Sequence, residues 1–95
     1  MNEHRQEKWI WVFTGESAQF CSAVFDDKAL AEEWIRSQSV SGVLTRMPLN
    51  MSAYDWATDA GHFVPRRDEQ KRPRFILRFS CASLEHEHYV DGTQG

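Results

Sequence analysis

The sequence predicts an α+β domain built on an antiparallel sheet of about five strands, and three patterns favour this class. Trp9 to Phe13 is an unbroken apolar run with three aromatic residues, which is typical of a strand covered on both faces. A second run of β-formers, Phe20 to Phe25, follows after a short polar stretch, as in a hairpin. The helical patterns lie in the middle of the chain, so the predicted order is β-β-α-β-α-β-β.

Length and composition indicate one soluble domain. The chain has 95 residues, of which 41% are hydrophobic, enough for a packed core. We expect residues 1–7 to be a disordered tail and residues 8–92 to form a single domain, because the first residues are polar and lack periodicity. The sequence shows no apolar run near the roughly 20 residues of a membrane span and no secretion signal, so we expect a cytoplasmic protein with free thiols at Cys21 and Cys81.

The first half of the chain carries clear local signals. Residues 8–14 and 20–25 are predicted as the first two strands. Asp26 is then placed to cap a helix over residues 27–35, whose apolar residues share one face. Gly42 begins a third strand that Pro48 ends.

The second half contains a helix, a polar connection and two further strands in the prediction. Ser52 with Asp55 three positions later indicates a helix start, and Gly61 indicates its end. Residues 64–74 are expected to be a solvated, mobile connection. Residues 74–80 alternate between apolar and polar, which predicts the fourth strand, and residues 85–90 form the last one.

The spacing of the aromatic and turn residues resembles a family of small bacterial domains known only as a domain of unknown function. The resemblance covers about residues 9–64, and more loosely His86, His88, Tyr89 and Gly92. It implies a compact α+β fold in a free-standing bacterial protein, with no activity and no site residues to transfer. The residues that carry it are Trp11-Val12-Phe13, Phe20, Val24-Phe25, Ala31, Trp34-Ile35, Gly42, Leu44-Thr45, Pro48-Leu49, Tyr54-Asp55-Trp56-Ala57 and Gly61-His62-Phe63.

Two chemical alternatives rest on histidines. His86 and His88 are two apart on a predicted strand, so their rings project from one face, and with His62 they could serve a metal-binding protein or a small metal-dependent enzyme. Tyr54, Asp55 and His62 could also form an acid/base group, but the stronger interpretation is structural, with Asp55 supporting the helix cap and His62 covering the helix end. We expect no cofactor, metal or catalytic residue, because no catalytic motif occurs in the sequence.

A third alternative is a nucleic-acid-binding adaptor that uses the basic residues 66–74. Two acidic residues reduce the field of this stretch, and the net charge of −3 also disfavours nucleic acid as a partner.

The preferred hypothesis is a non-catalytic module that binds another protein, most concretely an immunity or inhibitor protein that covers a toxin. The acidic excess would speed its encounter with a basic partner. The expected partner-binding residues combine carboxylates with aromatic rings and two histidines: Tyr54, Asp55, Asp59, His62, Glu85, Glu87, His88 and Tyr89.

Overall fold

The structure is a computed structural model that describes residues 8–95, so the predicted tail at residues 1–7 lies outside the described residues. One antiparallel sheet contains five strands in the spatial order β2-β1-β3-β4-β5. Residues 8–95 also form three α-helices and one 3-10 turn, which confirms the α+β class and the five-stranded antiparallel sheet. The elements are β1 (Trp9–Gly15), β2 (Cys21–Phe25), α1 (Lys28–Gln38), β3 (Gly42–Pro48), α2 (Ala53–Asp59), the 3-10 turn (Asp68–Lys71), α3 (Pro73–Ile76), β4 (His86–Val90) and β5 (Thr93–Gln94).

The core lies between α1 and one face of the sheet. Phe13 and Leu44 on the sheet and Ile35 on α1 are completely or almost completely buried, and Trp34 packs edge-on against Phe13 at 5.6 Å between ring centroids. Asp27, not Asp26, caps α1, because its side chain accepts a hydrogen bond from the Ala29 amide at 2.8 Å. The helix is therefore held at its start as well as along its buried stripe.

β1 is internal in the sheet, as its apolar run predicts, but its two faces differ. Trp11 and Phe13 are buried under α1, whereas Ile10 and Val12 on the opposite face are only half-buried. An open groove separates that face from the irregular residues 79–84. The prediction of a strand covered on both faces therefore holds for the face under α1 and is wrong for the other face, which is only partly covered.

The order of elements is confirmed, but the prediction of a strand over residues 74–80 is wrong. Pro73 occupies the first turn of α3, where its fixed φ suits a helix, and backbone hydrogen bonds continue the turn to Phe79. Phe75 and Phe79 are four residues apart and share a helical face, while Leu77, which the strand pattern places beside them, is 73% exposed. Phe75, Leu77 and Phe79 alternate as in a strand, but Phe75 and Phe79 alone also fit the i, i+4 spacing of a helix.

The fifth strand is instead β5, joined to β4 by a tight turn. Asp91 and Gly92 both have positive φ, 51° and 85°, as a two-residue hairpin turn requires. The Gly92 amide donates to the Val40 carbonyl oxygen at 2.8 Å, so the turn also contacts the end of α1. None of the helices within residues 8–95 has the length and apolarity to cross a membrane.

Candidate functional site

The outer edge of β2 is the first candidate surface. β2 pairs with β1 on one side, and no strand among residues 8–95 pairs with its other side, which we call the β2 edge. Edge strands in soluble proteins are usually protected by lysine, proline or a covering element, because their free amides and carbonyls can pair with another chain. Residues 17–25 contain no charged residue and no proline, so neither charge nor proline protects the β2 edge. The pairing of β2 with β1 does shift register between Phe13 and Thr14, which leaves Ser22 as a bulge in the strand.

Exposed apolar side chains flank the β2 edge. Phe20 is 75% exposed at its start and Val24 is 56% exposed within it. Leu30, 54% exposed, lies one helical turn before Trp34, which packs on Phe25 of β2 at 5.9 Å between centroids. The edge therefore combines unpaired backbone with apolar side chains that a partner could cover.

The charges next to the β2 edge are all negative. Glu16 precedes the uncharged stretch, and Asp26 and Asp27 follow it, all three exposed. No lysine or arginine occurs between Trp9 and Asp27. This distribution favours a positively charged partner at this edge.

A second candidate surface lies at the α2–α3 end of the molecule. Tyr54 of α2 packs on Phe63, Phe75 and Phe79 with ring centroids 5.4 to 6.3 Å apart, and these rings also pack on one another. The Tyr54 hydroxyl donates to the Gln70 carbonyl oxygen at 2.8 Å, which ties the 3-10 turn to α2. The basic segment therefore contains a 3-10 turn hydrogen-bonded to α2, where the prediction had an irregular connection, and most of its residues are solvent-exposed as predicted.

An open cleft of about 880 Å³ borders this aromatic cluster, and we call it the arginine–aromatic cleft. Phe63, Phe75 and Phe79 form its apolar wall. Its other lining residues include Arg72, Arg74, Arg78, His62, Glu69 and Cys81. Within the described chain no carboxylate forms an ion pair with the three lining arginines, since the arginine pair found here joins Arg67 to Glu69 at 3.9 Å.

A series of cation–π and aromatic contacts connects the sheet to α2. Arg46 of β3 lies 4.3 Å from the ring centroid of Trp9. Trp9 packs edge-on against Trp56 of α2 at 5.8 Å, and Trp56 in turn packs on His62 at 4.9 Å. His62 is therefore held at the cleft by its neighbour, and the sheet positions one wall of the cleft.

Lys28 of α1 lies among three glutamates. Its ammonium group is 3.2 Å from Glu87, 3.7 Å from Glu85 and 3.9 Å from Glu32, and 5.1 Å from the ring centroid of Trp11. Desolvation lowers the pKa of Lys28, but the hydrogen bond to Glu87 and the surrounding carboxylates outweigh it, so the net pKa lies above its ordinary value. The group is an ion-pair network that joins α1 to β4.

Tyr89 lies beneath that network in the core and is 5% exposed. Its buried hydroxyl has no hydrogen-bond partner of normal geometry among the described residues, and the nearby Glu32 carboxylate is the candidate acceptor. Burial first, and the carboxylates of Glu32 and Glu87 next, raise the pKa of Tyr89 above its ordinary value.

The histidines do not assemble into a metal site in the described part of the chain. The rings of His86 and His88 are 5.4 Å apart, and Nδ1 of His86 lies 2.8 Å from the Leu84 carbonyl oxygen. His62 packs on Trp56 at the cleft. Over residues 8–95 no group of three histidine, cysteine, aspartate or glutamate residues is placed to hold a metal ion, and Cys21 and Cys81 are free thiols.

The structure distributes the eight predicted partner-binding residues over several places. Tyr54 supports the aromatic cluster and His62 lines the cleft, whereas Asp55 and Asp59 are exposed on α2. Glu85 and Glu87 surround Lys28, and His88 is exposed on β4. Tyr89 is buried, so the expectation that its side chain contacts a partner is wrong.

The β2 edge was not predicted, and residues 66–74 were predicted as a basic stretch but not as part of a cleft that also includes Arg78. The uncharged stretch of residues 17–25, bounded by acidic residues, was a usable signal for the edge. The cleft was hidden because Arg74 and Arg78 fall on a strand pattern, whereas in a helical turn they lie on one side.

Comparison with known proteins gives one match. The family model for a domain of unknown function (DUF7710) matches residues 10–95, a range that includes the arginine-rich segment and both last strands. No curated protein and no solved structure matches the chain.

Proposed function

The chain belongs to the DUF7710 family, and we propose that it is a non-catalytic protein-binding module that pairs an extended segment of a partner with the β2 edge. The observation that carries the proposal is the unpaired β2 edge without charge or proline, with nine consecutive uncharged residues over 17–25. Main-chain hydrogen bonds at such an edge supply affinity, and the exposed Phe20 and Val24 side chains supply selectivity.

The charges next to the edge define the chemistry of the partner. Glu16, Asp26 and Asp27 surround the β2 edge with negative charge, which attracts a basic protein and speeds association at low salt. Proteins that act on nucleic acid commonly present basic surfaces. The concrete form of the proposal is therefore a bacterial immunity or inhibitor protein that covers a basic toxin in the cytoplasm.

The test is affinity capture from the native host, with variants at two exposed valines on strands. Val24→Lys places a charge on the β2 edge and adds repulsion toward a basic segment, so the stoichiometric partner should be lost. Val90→Lys is the matched control, because Val90 of β4 is similarly exposed at 60% but lies on the other side of the sheet. Circular dichroism checks that both variants fold.

The outcome can contradict the proposal in two ways. If the wild-type chain recovers no stoichiometric protein, or if Val24→Lys and Val90→Lys capture the same partner equally well, the β2 edge is not the binding surface. The inhibitor form is tested separately, by measuring the activity of the captured partner with and without the domain.

A further inference from the structure

The arginine–aromatic cleft has a charge that the rest of the molecule does not share. Residues 66–78 contain six basic and two acidic side chains, in a chain whose net charge is −3. The field at this end is therefore opposite to that at the β2 edge, and the two surfaces select different partners.

The lining arginines bring like charges to one open space. Arg74 lies in α3 and Arg78 in the turns that follow it, and both are exposed side chains that line the cleft. Arg72 lines the same cleft, and no described carboxylate pairs with any of the three. An anionic ligand between them would remove this repulsion and accept the bidentate hydrogen bonds that guanidinium groups form with phosphate.

The rings that line the cleft suit a flat ligand. The partly exposed Phe75 and Phe79 and the exposed His62 line the cleft. Planar bases stack on such rings and on guanidinium planes. The volume of about 880 Å³ is within the usual range for small-molecule sites.

From this geometry we propose that the arginine–aromatic cleft binds a nucleotide unit, with the phosphate on Arg74 and Arg78 and the base against the ring wall. The unit is a free nucleotide or one residue of a single strand, since both present the same base and phosphate. The cleft contains no residue of β2, so a failure of this proposal would not affect the protein-binding proposal, and the reverse also holds.

The test is an NMR titration of the full chain with three probes, namely AMP, a short oligo-dT and inorganic phosphate, at low and high salt. AMP or oligo-dT should shift the amide signals around Phe75, Phe79 and His62, and binding should weaken as salt rises. Stronger binding of oligo-dT than of AMP identifies a strand as the source of the unit, and the reverse identifies a free nucleotide.

Variants then test the assigned contacts. Arg74→Gln with Arg78→Gln should weaken binding by about tenfold or more, because charge-assisted hydrogen bonds are lost. Arg36→Gln is the control, since Arg36 is an exposed arginine on α1 that does not line the cleft. Equal weakening by the control would contradict the proposal. So would the absence of binding by AMP and oligo-dT at low salt, binding of inorganic phosphate as tight as that of AMP, or binding of an acidic peptide alone.

Discussion

Gly42 is the residue at which the sheet leaves no room for a side chain. A Cβ at this position would lie 2.3 Å from the Thr14 carbonyl oxygen and 2.8 Å from the Gly15 Cα, both backbone atoms of β1. Gly42 also faces Gly15 directly in the β1–β3 register. The close approach of these strands beside Phe13 therefore depends on a glycine.

Gly42→Ala is expected to destabilise the fold by about 1–3 kcal/mol or more, because the strands must separate. Gly15→Ala is the matched control, since its nearest atoms would be at ordinary contact distances of 3.7 and 3.8 Å. Urea denaturation measures both. Equal destabilisation by the two substitutions would contradict the described packing.

Two tyrosine hydroxyls differ in their hydrogen bonding. Tyr54 donates to Gln70, whereas the buried Tyr89 hydroxyl has no partner of normal geometry in the described structure. Tyr54→Phe should therefore lower the free energy of unfolding by about 0.5–1.5 kcal/mol, and Tyr89→Phe should be neutral or stabilising. Thermal unfolding of the two variants measures the difference. A larger loss for Tyr89→Phe would show that its hydroxyl is satisfied.

At the scale of elements, α3 shows where a sequence pattern fails to distinguish a helix from a strand. The strands around Trp11 and Leu44 and the helix through Ile35 were predictable, because long apolar runs and caps agree with tertiary packing there. Residues 74–80 were not, because three alternating apolar positions match a strand while Phe75 and Phe79 also match a helix. Only the position of Leu77 distinguishes the two, and it depends on the aromatic cluster beneath the segment.

Substitutions on this segment test the helical assignment directly. Leu77→Ser should change stability by no more than about 0.5 kcal/mol, since the side chain is exposed. Phe79→Ala should destabilise the fold by up to about 3 kcal/mol, because the half-buried Phe79 ring contacts three other rings. Chemical denaturation that shows the two substitutions to be equally damaging would favour the strand instead.

At the scale of the whole molecule, two groups link stability to alkaline pH. Lys28 and Tyr89 both have pKa values raised by folding, so the folded state binds more protons than the unfolded state once pH exceeds the unfolded values of about 10.4 and 10. Their contribution is fully present below about pH 10 and is lost as pH rises through the folded pKa values.

Stability should therefore fall as pH rises above about 10, and Tyr89→Phe should flatten the part of the decline that tyrosine ionisation causes. Denaturation midpoints over pH 8 to 11.5 measure the slope. A wild-type profile that stays level over this range, or one that Tyr89→Phe leaves unchanged, would contradict the environment described for Tyr89.

The charge distribution also belongs to this scale. The acidic residues beside the β2 edge and the arginines of the cleft lie in different parts of an elongated molecule whose principal extents are 43 × 32 × 19 Å. The net charge of −3 averages over both, which is why composition favoured an acidic binding surface over the basic residues 66–74. The fold places the acidic and the basic residues on separate surfaces, which the net charge does not reveal.

Amide hydrogen exchange across β2, in the free chain and in the complex with its captured partner, tests the protein-binding proposal most directly. The amides of residues 21–25 that face away from β1 should exchange rapidly in the free chain and become protected in the complex. A stoichiometric complex in which these amides keep their free exchange rates, while protection appears elsewhere on the chain, would contradict the proposal.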